Sequence, residues 1–270
     1  VIINDFEAPT NETGYPSLLL NGATAPSHSL KQFAAVPNPT FSLKPGQQQA
    51  VTVDVSIPPG TAGGGYYGAV RFAPVGAGGS KNVNLSASVA SLVLVTVPGN
   101  LVEKVSVAGF GVVQGTNSTA IHGLFLSNKN LQAIVRFQNS GNVQEQPFGK
   151  IELKQGSKVL ATYTVNNVTP PGNVLPDSIR RFTTKLSHIG SFGKYEIDGN
   201  FGYGSTGQLL SAKATFWVIP IILIIIVIII ILLILFLIFG LPRLIRRYNR
   251  RVIEKANRNN SHHNNHYSQR

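Results

Sequence analysis

An uninterrupted apolar run at residues 216–241, FWVIPIILIIIVIIIILLILFLIFGL, constrains this chain more than any other part of its sequence. The run contains no charged residue, and Pro220 is the one break in its pattern. A helix rises about 1.5 Å per residue, so about 20 apolar residues cross the roughly 30 Å hydrocarbon core of a bilayer. Isoleucine favours strands in water, but inside a bilayer each backbone N–H must bond within its own segment, which favours a helix. The run therefore predicts a transmembrane helix at residues 217–241.

The charges on the two sides of this run are unequal. Lys213 is the one basic residue shortly before it, whereas the stretch after it reads PRLIRRYNRRVIEK. Because basic residues near a span stay in the cytoplasm, residues 242–270 are predicted to form a basic cytoplasmic tail of a single-pass cell-membrane protein, with residues 1–216 extracytoplasmic. Aromatic and basic side chains at the ends of a span lie at the membrane interface. The predicted interface residues are Trp217, Tyr248, Arg243, Arg246, Arg247, Arg250 and Arg251.

Two interpretations of the first part of the tail remain open. Leu244, Tyr248 and Val252 recur at the spacing of one helix face among arginines, which is typical of an interfacial helix that binds anionic lipid headgroups. The alternative is a stop-transfer segment whose charges only fix the topology. The polar end, residues 257–270, is predicted to be disordered. Its histidines lack the further ligands that a metal site needs.

The composition narrows the class of partner and the compartment. The formal net charge is +12, of which the tail contributes +7, so a membrane surface is a better predicted partner than nucleic acid. The chain contains no cysteine, which fits full-sized β cores in a bacterial envelope protein. It begins VIINDFEAP, with neither methionine nor a leader pattern. This predicts that the original N-terminus and a signal peptide have been removed.

The residues before the apolar run form a pattern of short strands and turns. Residues 50–57 alternate apolar and polar side chains between Pro45-Gly46 and Pro58-Pro59-Gly60, as a strand with one face on a core does. Further strands are predicted at residues 1–7, 66–73 and 83–97. Pro98-Gly99 then marks the predicted domain boundary.

Beyond this boundary, short predicted strands again alternate with turn residues, a spacing that favours an immunoglobulin-like sandwich. These strands are predicted at residues 101–108, 120–126, 131–138, 149–153, 158–166, 179–186, 194–201 and 208–216. The predicted fold class is mainly β. Two tandem immunoglobulin-like β-sandwiches, at residues 1–97 and 101–216, precede one transmembrane α-helix and a basic, partly disordered tail.

Two short motifs match enzyme signatures without the context that their chemistry requires. Gly63, Gly65 and Gly68 match G-x-G-x-x-G, but strand-like YYGAVRF overlaps and follows them where a helix is needed. Ser191 and Lys194 match S-x-x-K in a turn, without the partner motifs of that enzyme class. The acidic residues are scattered, and no carboxylate pair stands out for glycoside hydrolysis. The sequence predicts no enzyme activity, no metal and no cofactor.

Three tyrosines beside glycine-rich turns are the candidate ligand contacts: Tyr66, Tyr67 and Tyr203. An exposed aromatic ring beside a turn can lie against a sugar or anchor a peptide. The alternative is that these rings pack in a core or pair across strands.

Short segments of both predicted domains carry a resemblance to a known family. They are LKPG at 43–46, PPG at 58–60, GYYGAVRF at 65–72, RFQNSGNV at 136–143, VLPDS at 174–178 and FGKY at 192–195. Their arrangement resembles the WxL-interacting proteins, Gram-positive surface proteins with extracellular immunoglobulin-like domains, one C-terminal span and a short basic tail. The resemblance implies a peptidoglycan-binding first domain and a membrane-proximal second domain. It also implies strands upstream of VIINDFEA that this sequence does not include.

These observations predict a single-pass bacterial cell-surface protein with a non-catalytic adhesion or scaffold role. Its extracytoplasmic sandwiches are expected to bind peptidoglycan in the cell wall or a secreted surface protein. The alternative is a membrane-anchored assembly factor, a chaperone-like holder of secreted surface subunits that binds them by strand addition. The other predicted partners are the lipid bilayer and its anionic headgroups, and nucleic acid is not among them.

Overall fold

The computed structural model describes residues 1–20, 23–74, 88–116 and 118–264, with side chains as far as residue 255. The described residues form a mainly β fold that ends in a long apolar helix. The predicted fold class is confirmed at this level.

A four-stranded antiparallel sheet, here called the N-terminal sheet, occupies the first part of the chain. Its strands are β1 (Ile2–Glu7), β2 (Ser17–Leu19), β5 (Gly64–Phe72) and β6 (Val89–Val97), and a separate two-stranded sheet joins β3 (Ala34–Ala35) to β4 (Asp54–Val55). The order in the N-terminal sheet is β2-β1-β5-β6, which makes β5 a central strand. The predicted strands at 1–7 and 66–73 correspond to β1 and β5. Of the predicted strand at 83–97, residues 83–87 lie outside the described residues.

Both faces of β5 are covered. On one face Tyr67 packs with Phe6, and Leu175 from the second half of the chain joins that cluster. On the other face Tyr66 packs with Leu30. Successive strand residues point to opposite faces, so a strand covered on both sides is buried continuously. β5 is buried from its first residue through the seventh for this reason.

The alternating stretch at residues 50–57 was wrongly predicted as a full strand. Only Asp54–Val55 pairs, with Ala34–Ala35. Val51, Val53 and Ile57 are half-buried, so the alternation does mark one covered face. An alternating pattern reports which side of an extended chain is covered, but it does not require a partner strand along its whole length.

Residues 105–218 form two facing sheets, here called the C-terminal sandwich. Its strands are β7 (Val105–Gln114), β8 (Leu124–Phe125), β9 (Leu131–Asn139), β10 (Phe148–Gln155), β11 (Lys158–Val165), β12 (Ser178–Lys185), β13 (Gly193–Tyr203) and β14 (Gln208–Val218). One sheet has the order β11-β10-β13-β14-β8, and the other has the order β12-β9-β7. Each predicted strand beyond residue 101 has a counterpart. The largest differences are β7, which runs on to Gln114, and β8, which has only two residues.

The principal core lies between these two sheets. Phe137 and Phe201 are fully buried, and their rings pack edge to face with the ring centroids 5.0 Å apart. Full burial of each such side chain stabilises the fold by about 1.5–3 kcal/mol. Among the described residues of the first 97, the N-terminal sheet has two small apolar clusters. A complete immunoglobulin-like sandwich at residues 1–97 therefore remains a prediction.

A long helix follows β14 after two residues. It consists of α1 (Ile221–Leu235), a π-helical segment (Phe236–Gly240) and α2 (Leu241–Asn264). Among the described residues, it is the one helix long and apolar enough to cross a membrane. α1 and the π-helical segment contain 15 and 5 residues. At about 1.5 Å per residue they span about 30 Å, the thickness of the hydrocarbon core.

The helix continues further into the tail than predicted. α2 extends to Asn264, so the prediction of disorder from residue 257 was wrong for residues 257–264. Adding residues to an existing helix avoids the cost of nucleating a new one. The apolar helix therefore favours helical structure in the polar residues that follow it. Residues 265–270 lie outside the described residues.

Candidate functional site

A polar cleft of about 490 Å³ opens at the end of the C-terminal sandwich that lies beside the N-terminal sheet. It is at the far end of β10, β13 and β14 from the helix, because Phe148 pairs with Gly202 at this end and Gly193 pairs with Val218 at the other. The cleft is lined by Glu103, Gln144, Glu145, Gln146, Phe148, Asn166, Pro171, Asn173, Gly204 and Ser205. Carboxyl and amide side chains therefore dominate it, and one aromatic ring, Phe148, is 58% exposed.

Two carboxyl groups meet at the turn between β13 and β14. Glu145 Oε2 accepts a hydrogen bond from the N–H of Gly204 at 3.0 Å. Glu103 Oε2 accepts hydrogen bonds from the N–H and the hydroxyl of Ser205 at 2.9 and 3.0 Å. Gly204 has a φ of +72°, and a Cβ atom there would lie 2.7 Å from Glu103 Oε2. Glycine at this position thus allows the turn to bring the two acids together.

The environment of Glu145 changes its acid–base behaviour. Its side chain is buried, and burial raises its pKa to about 7. The charge of Glu103 acts in the same direction, while the N–H of Gly204 opposes both. Near neutral pH, Glu145 is therefore protonated in part of the molecules and can donate as well as accept a hydrogen bond.

Replacing Glu145 by glutamine is expected to remove part of the pH dependence of stability. Its folded pKa of about 7 lies above the ordinary value of 4.5, so between these values the folded state keeps a proton that the unfolded chain has released. As the pH rises from about 4.5 to about 7, the loss of this proton should lower the wild-type free energy of unfolding by about 1–3 kcal/mol. The E145Q variant should lack this decrease. Urea unfolding of both proteins in detergent micelles, followed by circular dichroism, measures the difference.

Glu12 changes the stability with pH in the opposite direction to Glu145. The pH dependence of the wild type alone therefore does not isolate the contribution of Glu145, and the difference from E145Q does. The hydrogen bond from Arg136 lowers the pKa of Glu12 below its ordinary value. Glu12 therefore stabilises the fold above the ordinary pKa, and this contribution is lost as pH falls. A constant difference between wild type and E145Q from about pH 4.5 to about pH 7.5 would contradict the raised pKa of Glu145.

One buried asparagine holds the segments that form the cleft. Asn139 is fully buried and donates its Nδ2 hydrogens to the carbonyls of Val143 at 2.7 Å and Val174 at 2.9 Å. Its Oδ1 accepts the N–H of Gly141 at 2.9 Å. Val174 in turn exchanges two backbone hydrogen bonds with Glu145, at 3.0 and 2.7 Å. Asn139 thereby fixes the backbone on which Glu145 is placed.

The cleft adjoins a hydrogen-bonded junction between the two β units. The carbonyl of Asn142 accepts the N–H of Gly65 at 2.8 Å, and its Nδ2 donates to the carbonyl of Gly63 at 3.1 Å. Gln144, a cleft residue, accepts the hydroxyl of Tyr67 at 3.0 Å through its Oε1. The segment that lines the cleft is therefore the same segment that contacts the N-terminal sheet.

An ion pair forms a second contact at this junction. The guanidinium of Arg136 donates two hydrogen bonds to the carboxylate of Glu12, one of them at 2.7 Å. The N–H of Arg181 also donates to the backbone carbonyl of Glu12 at 2.9 Å. The side chains of Arg136 and Glu12 are both partly covered. A bidentate arginine–carboxylate pair fixes direction as well as distance, so this contact orients the two units.

The three tyrosines predicted as ligand contacts are buried, so their expected exposure is wrong. Tyr66 and Tyr67 lie on opposite faces of β5 and are 9% and 4% exposed. Tyr66 packs edge to face against Phe33, with the ring centroids 5.5 Å apart. Tyr203 is 6% exposed and belongs to the core of the C-terminal sandwich. The sequence showed glycines beside these rings, but it did not show that both faces of β5 and the end of β13 are covered.

The predicted membrane-interface residues lie at the two ends of the apolar helix. Trp217 is on β14, three residues before the N-cap Pro220, and is partly exposed. Tyr248 and the arginines at 243, 246, 247, 250 and 251 are exposed on α2. Arg243 donates from Nη1 to the carbonyl of Phe239 at 2.9 Å, just beyond the apolar part of the helix.

The acid pair could not be predicted from the sequence because its members are far apart in the chain. Glu103 precedes β7 and Glu145 follows β9, and a third segment, the β13–β14 turn, brings them together. No periodicity or motif marks either residue. Within the described residues, no group of three or more histidine, cysteine, aspartate or glutamate side chains is placed to hold a metal ion. The arrangement offers hydrogen-bond acceptors, amide donors and one exposed aromatic ring to a polar ligand.

No family model matches the chain, and neither a curated protein nor a solved structure matches it. The resemblance to the WxL-interacting proteins therefore stays a prediction.

Proposed function

We propose that the chain is a single-pass protein of a bacterial envelope, with residues 1–216 outside the membrane and residues 242–270 in the cytoplasm. Its outer β units bind the cell wall without performing chemistry on it. The proposed ligand is peptidoglycan, and the proposed contact is the polar cleft at the end of the C-terminal sandwich. The observation that carries the proposal is the combination, in one open cleft, of paired carboxyl groups, amide side chains and an exposed aromatic ring.

The chemistry of the cleft suits a glycan with attached peptides. Sugar hydroxyls and acetamido groups need both donors and acceptors, which Gln146 and Asn173 supply as amides and Glu103 supplies as a carboxylate. The exposed ring of Phe148 offers an apolar face to a sugar ring. An ammonium group of a stem peptide would be attracted to the Glu103 carboxylate. The amides, the carboxylate and the aromatic ring together match the mixed polar and apolar surface of such a glycan.

The position of the cleft supports the same function. Strands β13 and β14 have 11 residues each and run from the cleft to the start of the helix. At about 3.3 Å per residue, a strand of this length covers about 36 Å. With the apolar helix in a membrane and the arginines of α2 in the cytoplasm, the cleft faces away from the bilayer, on the side where the wall lies.

Co-sedimentation with purified peptidoglycan sacculi tests the proposal. The full chain in detergent micelles should pellet with the sacculi, and the F148A variant should pellet about tenfold less, because an aromatic contact contributes on the order of 1 kcal/mol or more. The matched control is V168A, which truncates an apolar side chain that is 63% exposed and outside the cleft. This control should pellet like the wild type.

Three results would overturn the proposal in different ways. A wild-type chain that stays in the supernatant would exclude wall binding. An F148A variant that pellets like V168A would exclude the cleft as the contact. Release of soluble wall fragments by the full chain would show that it performs chemistry on the wall.

Strand addition is the second candidate function, and one observation favours it. Within the described ranges β6 pairs only with β5, so its other edge has no partner strand there. β6 reads VASLVLVTV, and Val89 and Leu92 are exposed. An apolar edge strand is a template for a strand of another chain. A chain that ignores sacculi but co-purifies with a secreted protein, and loses it when Ser91 is replaced by proline, would favour this function.

A further inference from the structure

Four exposed apolar side chains lie at the helix end of the C-terminal sandwich. Leu124, Leu126, Phe192 and Trp217, here called the apolar collar, are 54%, 48%, 53% and 43% exposed. Single exposed apolar residues are ordinary on protein surfaces, but a group at one end of a domain marks an interaction surface. The place of the collar in the fold identifies what it meets.

Hydrogen bonds fix the collar to the last residues before the helix. The N–H of Trp217 donates to the carbonyl of Gly123 at 2.8 Å, and the N–H of Ile219 donates to the carbonyl of Phe125 at 2.9 Å. These bonds hold Leu124 and Leu126 beside the end of β14. Phe192 immediately precedes β13, whose first residue pairs with Val218.

The distance from the collar to the apolar helix is short. Leu126 and Phe192 are level with Ile219, two residues before α1 begins at Ile221, and extended chain rises about 3.3 Å per residue, so these two side chains are about 7 Å from the helix. Leu124 and Trp217 are two residues further away, at about 13 Å. α1 and the π-helical segment, with 15 and 5 residues, match the hydrocarbon thickness. The headgroup layer outside the hydrocarbon core is about 5–7 Å deep in each leaflet. A helix that spans the bilayer therefore places Leu126 and Phe192 at the depth of the headgroups, with Leu124 and Trp217 at the outer side of that layer.

The charges at this end of the sandwich fit anionic headgroups. The loops at residues 115–116, 118–123, 126–130, 156–157 and 186–192 contain no acidic residue. Exposed lysines lie in these loops or at the strand ends beside them: Lys129, Lys158, Lys185 and Lys194. The acid pair Glu103 and Glu145 lies at the opposite end. Lysines beside apolar side chains are typical of surfaces that contact a membrane interface.

We propose that the apolar collar inserts into the headgroup layer of the outer leaflet, with the neighbouring lysines on anionic phospholipids. The C-terminal sandwich is then seated on the membrane through two elements, the helix and the collar, and the cleft points outward at a fixed orientation. This inference rests on the proposed membrane anchoring. It adds a lipid-contacting surface within the β fold itself.

Site-directed spin labelling tests the inference directly, because the chain contains no cysteine and one introduced cysteine is a unique attachment site. The full chain is placed in nanodiscs of phosphatidylcholine and phosphatidylglycerol, labelled in turn at L126C, F192C, L209C and I230C. Leu209 is 85% exposed and lies at the cleft end of β14, so it is the control in water. Ile230 is the control in the hydrocarbon core.

The collar labels should collide with a water-soluble nickel reagent several-fold less than the L209C label, and with oxygen more. If the L126C and F192C labels collide with the nickel reagent as often as the L209C label, while the I230C label remains protected, the collar does not contact lipid. The membrane anchoring by the helix would still stand. An I230C label that is accessible to the nickel reagent would overturn the anchoring itself. Circular dichroism of each labelled chain confirms that its β structure is retained.

Discussion

The N139A variant is expected to unfold with a free energy about 3 kcal/mol lower than the wild type and to lose ligand retention at the cleft. Asn139 is fully buried and makes three hydrogen bonds to backbone groups. Alanine would leave the carbonyl of Val143 and the N–H of Gly141 without this partner, while the carbonyl of Val174 would keep the N–H of Glu145 alone. Each buried backbone group left unsatisfied costs about 1–3 kcal/mol, less where water can enter.

The loss of function in N139A should exceed what the loss of stability explains. Val174 is paired with Glu145, so releasing Val174 from Asn139 loosens the backbone that carries the acid. Under conditions where N139A is still folded, its retention on sacculi should be reduced at least as much as that of F148A. Urea unfolding and co-sedimentation at low temperature measure the two effects separately.

Asn200 provides the matched control for this substitution. It lies within β13 and is exposed, so N200A removes an amide of the same size without burying an unsatisfied group. Surface substitutions of this kind change stability by about 0.5 kcal/mol or less. Equal effects of N139A and N200A would show that the buried hydrogen bonds contribute nothing beyond the side chain itself.

The strands of the C-terminal sandwich could be predicted because local sequence determines them. Short apolar stretches bounded by Gln155-Gly156-Ser157 or Pro170-Pro171-Gly172 give both the strand and its ends. β8 was overestimated because Ala120 to Leu126 is apolar enough for a strand, yet only Leu124 and Phe125 find a partner, the end of β14. Apolar character is a local property, whereas pairing depends on what lies alongside.

The candidate site could not be predicted for the same physical reason. Glu103 and Glu145 become neighbours only when the β13–β14 turn reaches over to bond both of them. Tyr67 looked like a surface ring in the sequence, but its hydroxyl reaches Gln144 across the junction. The apolar helix, in contrast, is encoded entirely by its own residues, and its extent was predicted to within a few positions.

The turn at residues 139–142 is a local feature of the sequence, and it also positions distant segments that form the candidate site. The segment RFQNSGNV is one of the six short segments that carried the resemblance to the WxL-interacting proteins, and it contains turn residues. In the fold, Asn139 supports the cleft and Asn142 contacts the N-terminal sheet, with Gly141 between them. A turn with these contacts accounts for an asparagine and glycine pattern without any direct contact to a ligand. Substitutions here should therefore affect the cleft and the junction together.

The G141A variant is expected to show this coupling, with a loss of about 3 kcal/mol in the free energy of unfolding. A Cβ atom on Gly141 would overlap the carbonyl oxygen of Val102 and lie 3.0 Å from the backbone nitrogen of Lys104. Both are main-chain atoms, so relief requires a backbone shift, and overpacking of this kind costs about 1–3 kcal/mol or more. The displaced segment carries Glu103 between Val102 and Lys104, so the acid pair should separate as well.

Gly123 is the matched control for G141A, because a Cβ atom there would meet nothing within 4 Å. G123A should keep wild-type stability and wild-type retention on sacculi, while G141A should lose both. The pH dependence supplies a further readout, since separation of Glu103 from Glu145 removes one of the causes that raise the pKa of Glu145. The fall in stability between about pH 4.5 and pH 7 should therefore be smaller in G141A than in G123A. A G141A variant as stable as G123A would mean that the 102–104 segment can move away without cost, and the turn would then not be what holds the acid pair together.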